Sequence, residues 1–145
     1  MMKVHKIIIV TVLCLFVVSV HAHAGEFDGT RPLLCATIKV IECSKSEGCM
    51  ELTPEDVALP PFFVIDFDKK EIQSTKESTI QKTSKIKHMD HVDGKLIIQG
   101  AEDGVEGVRD GVGYTLAISE DSGKFVLAAS GDAVAFIIFG ACTLR

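Results

Sequence analysis

The stretch Ala133-Val134-Ala135-Phe136-Ile137-Ile138-Phe139-Gly140-Ala141-Cys142 constrains this chain more than any other. It is the most apolar run outside the N-terminal segment, and it is too short to cross a membrane. It is also rich in strand-forming residues. Such a run reads as a strand buried on both faces or nearly so. Its terminal cysteine can tie this last strand to another part of the fold, and around it the chain builds a compact β domain.

The strands that accompany it are short and turn-bounded. Residues 33–43 alternate, with Leu34, Ala36, Ile38 and Val40 on one face and Cys35, Thr37, Lys39, Ile41 and Cys43 on the other. Thr53-Pro54-Glu55-Asp56 has the composition of a helix start, threonine at N-cap and proline at N1. Pro60-Pro61 ends it, which leaves one short helix near 53–59. Residues 62–68 return to strand character with Phe63, Ile65 and Phe67 on one face, and Asp68-Lys69-Lys70 turns the chain. Residues 73–87 are polar and lysine-bearing and read as solvent-facing strand and turn, an edge guarded against pairing. Asp93-Gly94 marks a tight turn into a strand over 95–99. Residues 100–113 carry five glycines and five charged residues, the composition of a long mobile loop.

The final hairpins are the most explicit. Tyr114, Leu116 and Ile118 alternate with polar or small residues, and Phe125, Leu127 and Ala129 answer from the next strand. Gly131-Asp132 is a two-residue turn signal, which sets Ser130 against Ala133, Leu127 against Phe136 and Phe125 against Ile138. The expected fold is all-β: an antiparallel meander of seven or eight short strands forming a small barrel or sandwich. No helical segment is long enough for the crossovers of a parallel sheet.

The first 24 residues have the pattern of a signal peptide. Lys3 and Lys6 precede an apolar core of about fourteen residues, followed by Ala22-His23-Ala24. The core falls short of the ~20 residues a span needs, and Cys14 lies inside it without the small pair a lipidation site requires. Cleavage leaves residues 25–32 as a loose N-terminal arm and 33–145 as a single β domain, secreted or periplasmic and not membrane-spanning. The whole chain carries a net charge of −5, and loss of the leader's two lysines makes it −7. With one tyrosine, no tryptophan and no basic stripe, it is not built for nucleic acid.

Four cysteines remain: Cys35, Cys43, Cys49 and Cys142. An even number in an exported chain implies two disulfides. Cys35 and Cys43 bracket a strand and would lie about 26 Å apart at ~3.3 Å per residue, too far to bond. Of the two remaining pairings, the short polar loop between Cys43 and Cys49 favours Cys43–Cys49 with Cys35–Cys142 over Cys35–Cys49 with Cys43–Cys142. The favoured pairing carries a conflict of phase. Alternation puts Cys142 on the buried face but Cys35 opposite Ile38 and Val40, and a bulge at Gly140 would reconcile them.

Chemistry-bearing residues are sparse. His88, Asp90, His91 and Asp93 form the one cluster of imidazoles and carboxylates, and a spacing of three lets two histidines share a metal. A polar turn before the next strand explains the same residues, so no metal or other cofactor is assigned. Asp66 and Asp68, two apart on a strand, share a face at a separation that invites comparison with glycosidase carboxylates. With the phenylalanines on the other face, two surface acids is the simpler explanation. The acids of 103–111 fit neither an EF-hand nor a repeated calcium loop, and no serine sits in a nucleophile elbow. No catalytic residue is assigned.

Arg31-Pro32-Leu33-Leu34-Cys35-Ala36 near the start of the domain resembles a string found in a group of small exported bacterial proteins of proteobacterial type. So do Ala129-Ser130-Gly131-Asp132 and Phe139-Gly140-Ala141-Cys142-Thr143 near the end, with Leu59-Pro60 and Ile65-Asp66-Phe67-Asp68-Lys69-Lys70 between them. The resemblance implies a bacterial exported domain with paired terminal cysteines; that group has no established activity and lends no site residues. The expected function is a non-enzymatic binding or interaction domain whose ligand is a protein, an envelope component or a small apolar molecule. The loop 100–113 and the polar stretch 73–87 are its expected contact surfaces. A metal-dependent or hydrolytic enzyme centred on His88 and His91, or a structural envelope protein, are the alternatives. An interior filled by Phe63, Ile65, Phe67, Tyr114, Leu116, Phe125 and Phe136 would leave no room for a ligand, whereas an open cavity would favour a small one.

Overall fold

The computed structural model describes residues 26–104 and 111–145, so the expected leader lies outside the described residues. Among the described residues nine strands follow one another: β1 Leu33–Ser44, β2 Gly48–Leu52, β3 Phe62–Asp66, β4 Glu71–Ser74, β5 Thr83–Val92, β6 Lys95–Glu102, β7 Val112–Ser119, β8 Lys124–Ser130 and β9 Val134–Leu144. All pairings are antiparallel, in the order β2-β1-β3-β4-β5-β6-β7-β8-β9, and β1 also pairs with β9. Eight strands therefore close into a barrel. The long β1 makes closure possible: its first residues pair with β3, its last with β2, and almost its whole length with β9. β2 pairs with the distal half of β1 on the edge that β3 leaves free, while the other edge of that half stays paired with β9.

The helix expected near 53–59 is a single 3₁₀ turn, Glu55–Val57. Thr53 Oγ1 accepts from the Asp56 N–H at 3.3 Å, while Asp56 Oδ2 accepts from the Thr53 N–H at 3.0 Å and hydroxyl at 2.8 Å. This reciprocal capping holds the turn although Pro54 occupies the N-cap position.

The structure contains the disulfides Cys35–Cys142 and Cys43–Cys49, with Cα atoms 3.9 and 4.0 Å apart. Each joins residues directly opposite one another on neighbouring strands. Cys35 is fully buried inside the barrel, whereas Cys49 is exposed on β2. The expected phase conflict is resolved in β1 rather than at Gly140. The register against β9 shifts between Thr37 and Lys39, so Ile38 is the extra residue of a bulge and is 71% exposed. Before it, Leu33 and Cys35 point inward; after it, Val40 does. The expected sharing of one face by Leu34, Ala36, Ile38 and Val40 is thereby corrected. Gly140 serves close packing instead. A Cβ there would collide with the Ala36 carbonyl and the Phe125 ring, which lies across it from β8.

Three further expectations are corrected. The β8–β9 register is offset by two residues: Ser130 faces Ala135, Leu127 faces Ile138 and Phe125 faces Gly140. The Gly131 N–H donates to the Val134 carbonyl, so the connection is longer than a two-residue turn. An offset of two preserves which side chains point inward, so the burial pattern could not reveal it. Residues 73–87 do not form an edge. β4 and β5 pair on both sides within the closed barrel, and only 75–82 connects them. The loop expected over 100–113 is shorter, because Gly100, Ala101 and Glu102 pair with Tyr114, Gly113 and Val112. Of what remains, 105–110 lies outside the described residues.

One end of the barrel is packed solid. Leu33, Ile65, Leu96, Ile98, Leu116 and Ile118 are almost wholly buried there, and Phe63 meets Phe125 edge-on with ring centroids 5.6 Å apart. The segment expected as a loose arm closes this end. Phe27 is 8% exposed, and its N–H donates to the Glu120 carbonyl at 3.1 Å. Its ring takes the space a Cβ on Gly123 would need.

Candidate site at the open end of the barrel

Connections at the two ends of the barrel differ. At the end closed by Phe27 the turns are tight, among them Asp93-Gly94, where both residues have positive φ (49° and 69°). At the other end lie the long connections 53–61 and 75–82, beside the strand ends Glu102 and Val112. Long connections raised on a rigid scaffold are where binding sites usually form. A cleft of about 600 Å³ opens there, within the range of small-molecule sites.

The walls of the cleft come from the inward positions of the strands, above the filled core. Phe63, Ile72, Leu127, Ala129, Phe136 and Ile138 supply apolar surface, and Val57, Leu59 and Pro60 add one more wall from the segment between β2 and β3. That segment is pinned at its end by the Thr37 N–H, which donates to the Pro61 carbonyl at 2.9 Å. Lys82, Lys85, Lys87, Glu102 and Asp103 are also at the cleft. Lys82 pairs with Glu102 at 3.8 Å, and Lys85 pairs with Glu71.

A polar chain is set into this mostly apolar wall. Buried Ser84 on β5 donates its hydroxyl to Tyr114 Oη on β7 at 3.2 Å, and Tyr114 donates onward to the Lys85 carbonyl at 3.3 Å. The tyrosine can sit there because Gly100 lies directly opposite it on β6. Any Cβ on Gly100 would occupy the space of the phenol oxygen and approach the Lys85 carbonyl. An aromatic ring laid over a cross-strand glycine restores the contact surface that the glycine lacks. The barrel uses this arrangement twice, with Tyr114 over Gly100 and Phe125 over Gly140.

Burial raises the Tyr114 phenol above its ordinary value; the Ser84 hydroxyl bond opposes this, and the charge of Glu102 adds to it. The folded state thus disfavours the phenolate. No stability is lost while the phenol stays neutral in both states, below about pH 10. Above that pH the unfolded chain ionises first, and the fold loses stability until the folded-state value is passed. Tyr114 is the chain's one tyrosine and there is no tryptophan. Absorbance at 295 nm should therefore titrate a single phenol with a midpoint above 10 in the folded protein. A midpoint at the ordinary value would contradict this burial.

The residues singled out in the sequence are elsewhere. From His88 to Val92, β5 pairs regularly with β6, so residues an odd number apart point to opposite faces. Met89 packs against the core, which puts His91 on its side of the strand and His88 with Asp90 outside. The two histidines therefore point apart; the spacing of three that suits a shared metal in a turn fails in a strand. His91 Nδ1 lies 2.6 Å from Glu120 Oε1, at the closed end, and Asp93 is in the hairpin turn. Among the described residues, no three His, Cys, Asp or Glu side chains converge as a metal site. Asp66 and Asp68 do not share a strand face. β3 ends at Asp66, which accepts from the Lys69 N–H at 3.0 Å and pairs with its ammonium at 2.9 Å, while Asp68 is exposed in the turn. Those bonds hold the Asp66 carboxyl below its usual value.

Ser84 and Gly100 fall within the expected contact stretches 73–87 and 100–113, and Leu59 within one of the resemblance strings, but none of them, nor Val57, has a motif that marks its role, because that role depends on which inward positions of eight strands fall at one end. Alternation marks Tyr114 only as a core residue. Among the described residues no helix is long and apolar enough to cross a membrane. No protein-family model matches the chain, and neither a curated protein nor a solved structure gives a match.

Proposed function

We propose that this is a non-enzymatic binding domain that holds one small, predominantly apolar molecule in the open end of its barrel. The observation that carries the reading is the division of the interior. The half nearest Phe27 is filled, while the half beneath 53–61 is a mostly apolar cleft of about 600 Å³ with the buried Ser84–Tyr114 chain in its wall and charged residues at its rim. Apolar walls with a few placed polar groups are what small-molecule sites have in common. The reading places the domain outside the cytoplasm of a bacterium, secreted or periplasmic. The two disulfides, the leader-like first residues and the resemblance to small exported proteins support that placement.

N-phenyl-1-naphthylamine, a neutral apolar dye, tests the reading. It should bind with one-to-one stoichiometry and increased fluorescence. Ala129→Phe, which places a ring in the cleft from an inward position of β8, should weaken binding at least tenfold while leaving the denaturation midpoint nearly unchanged. Equal binding by the wild type and a folded Ala129→Phe protein would place the dye elsewhere and remove the reading.

A further inference from the structure

The hydroxyls on the inward face of the cleft wall have already committed their protons; Gln73 and Thr83, also at the cleft, alternate with inward Ile72 and Ser84 and so face the other way. Tyr114 faces the Lys85 carbonyl, which can only accept, so its proton must go there. Ser84 must then be the donor in the bond to Tyr114 Oη. Ser74 at the same end donates to the Lys82 carbonyl at 3.3 Å, and its oxygen also accepts from the Lys82 N–H at 2.8 Å. Thr37 points the same way, 3.5 Å from the Pro60 carbonyl. What this wall offers an incoming molecule is oxygen lone pairs. The ammonium donors at the rim are in part taken, Lys82 by Glu102 and Lys85 by Glu71.

From this donor and acceptor inventory we infer that the ligand is a neutral, hydroxyl-bearing apolar molecule, an alcohol or phenol, whose O–H donates into the Ser84–Tyr114 oxygens. The inference rests on the binding reading above and deepens it. A carboxylate pushed against this wall would meet lone pairs with no proton to share, at a buried position where an unpaired charge is most costly. An ether of the same length fills the cleft equally well but also has no proton to give. Lys87 remains at the rim as a partner for an anion, but an ion pair in that exposed position contributes little.

The test compares three probes of one chain length, 1-decanol, decyl methyl ether and decanoate, by displacement of the naphthylamine dye from the oxidised protein. Decanol should bind about tenfold more tightly than the ether, the size of one neutral hydrogen bond, and decanoate should bind no better than the ether. Tyr114→Phe keeps the ring over Gly100 but frees the Ser84 proton, so the ether, which has no donor to meet in the wild type, should bind this variant more tightly than it binds the wild type; a residue that only supported the wall would leave the ether's affinity unchanged or lower. Decanoate binding as tightly as decanol, or a decanol-to-ether ratio near one in the wild type, would overturn the inference while leaving the binding reading intact. Failure of all three probes and of the dye would remove both.

Discussion

Replacing Cys35 and Cys142 together with alanine is expected to lower the unfolding free energy by about 4–5 kcal/mol, read by urea denaturation of the oxidised proteins. Their bond spans 107 residues, and constraining a loop of that length in the unfolded chain has this magnitude in the loop-entropy model. It also lies across the seam between β1 and β9 that closes the barrel. A domain of this size has only about 5–15 kcal/mol in total, so the double variant should be marginally folded. The matching change at Cys43 and Cys49, six positions apart in the β1–β2 hairpin, should cost roughly half as much, ~2.4 kcal/mol. If the hairpin disulfide proved the more important of the two, the seam would not be where the barrel is held.

Phe125→Ala should cost about 3–5 kcal/mol, the range for truncating a buried aromatic. Its ring is 3% exposed, meets Phe63 edge-on and covers the bare backbone of Gly140. Removing it leaves a cavity in the filled half of the barrel together with a glycine no longer covered by its cross-strand neighbour. Because Phe125 does not itself line the cleft and meets it only through Phe63, the variant, where folded, should bind the naphthylamine dye within about threefold of the wild type, less than the ~1.4 kcal/mol that makes a factor of ten. Loss of dye binding by a folded variant would mean that the two halves of the interior are not independent.

Strand identity and burial were largely legible in the sequence because alternation is a local property. Phe63 and Ile65, or Tyr114, Leu116 and Ile118, needed nothing beyond their own spacing to be placed inward. Whatever depended on partners was harder. A bulge at Ile38 adds one residue with no composition of its own, and so the phase conflict between Cys35 and Cys142 could be seen but not located. The offset of two between β8 and β9 keeps every face correct and hence leaves no trace in polarity. The weak, polar β4 and the first half of β5 are strands because the closed barrel offers them backbone partners on both sides. Phe27 is one aromatic residue in a polar segment, and only the open end of a barrel gives it somewhere to go.

The site was the least legible part. The clustered histidines are close in sequence, yet a strand sends residues three apart to opposite faces. Ser84 and Tyr114 are thirty residues apart and become neighbours through β5, β6 and β7, with Gly100 as the gap between them. That triplet carries no local pattern.

The most direct test of the open-ended barrel is a two-dimensional amide and methyl NMR titration of the oxidised protein with 1-decanol. Shifts should be confined to the cleft, at Leu59, Ile72, Tyr114, Leu127, Ala129 and Ile138, with Leu96 and Ile118 at the filled end unmoved. Shifts centred instead on the outer face, where Ile38, Val126 and Phe139 are 71%, 41% and 38% exposed, would contradict interior binding.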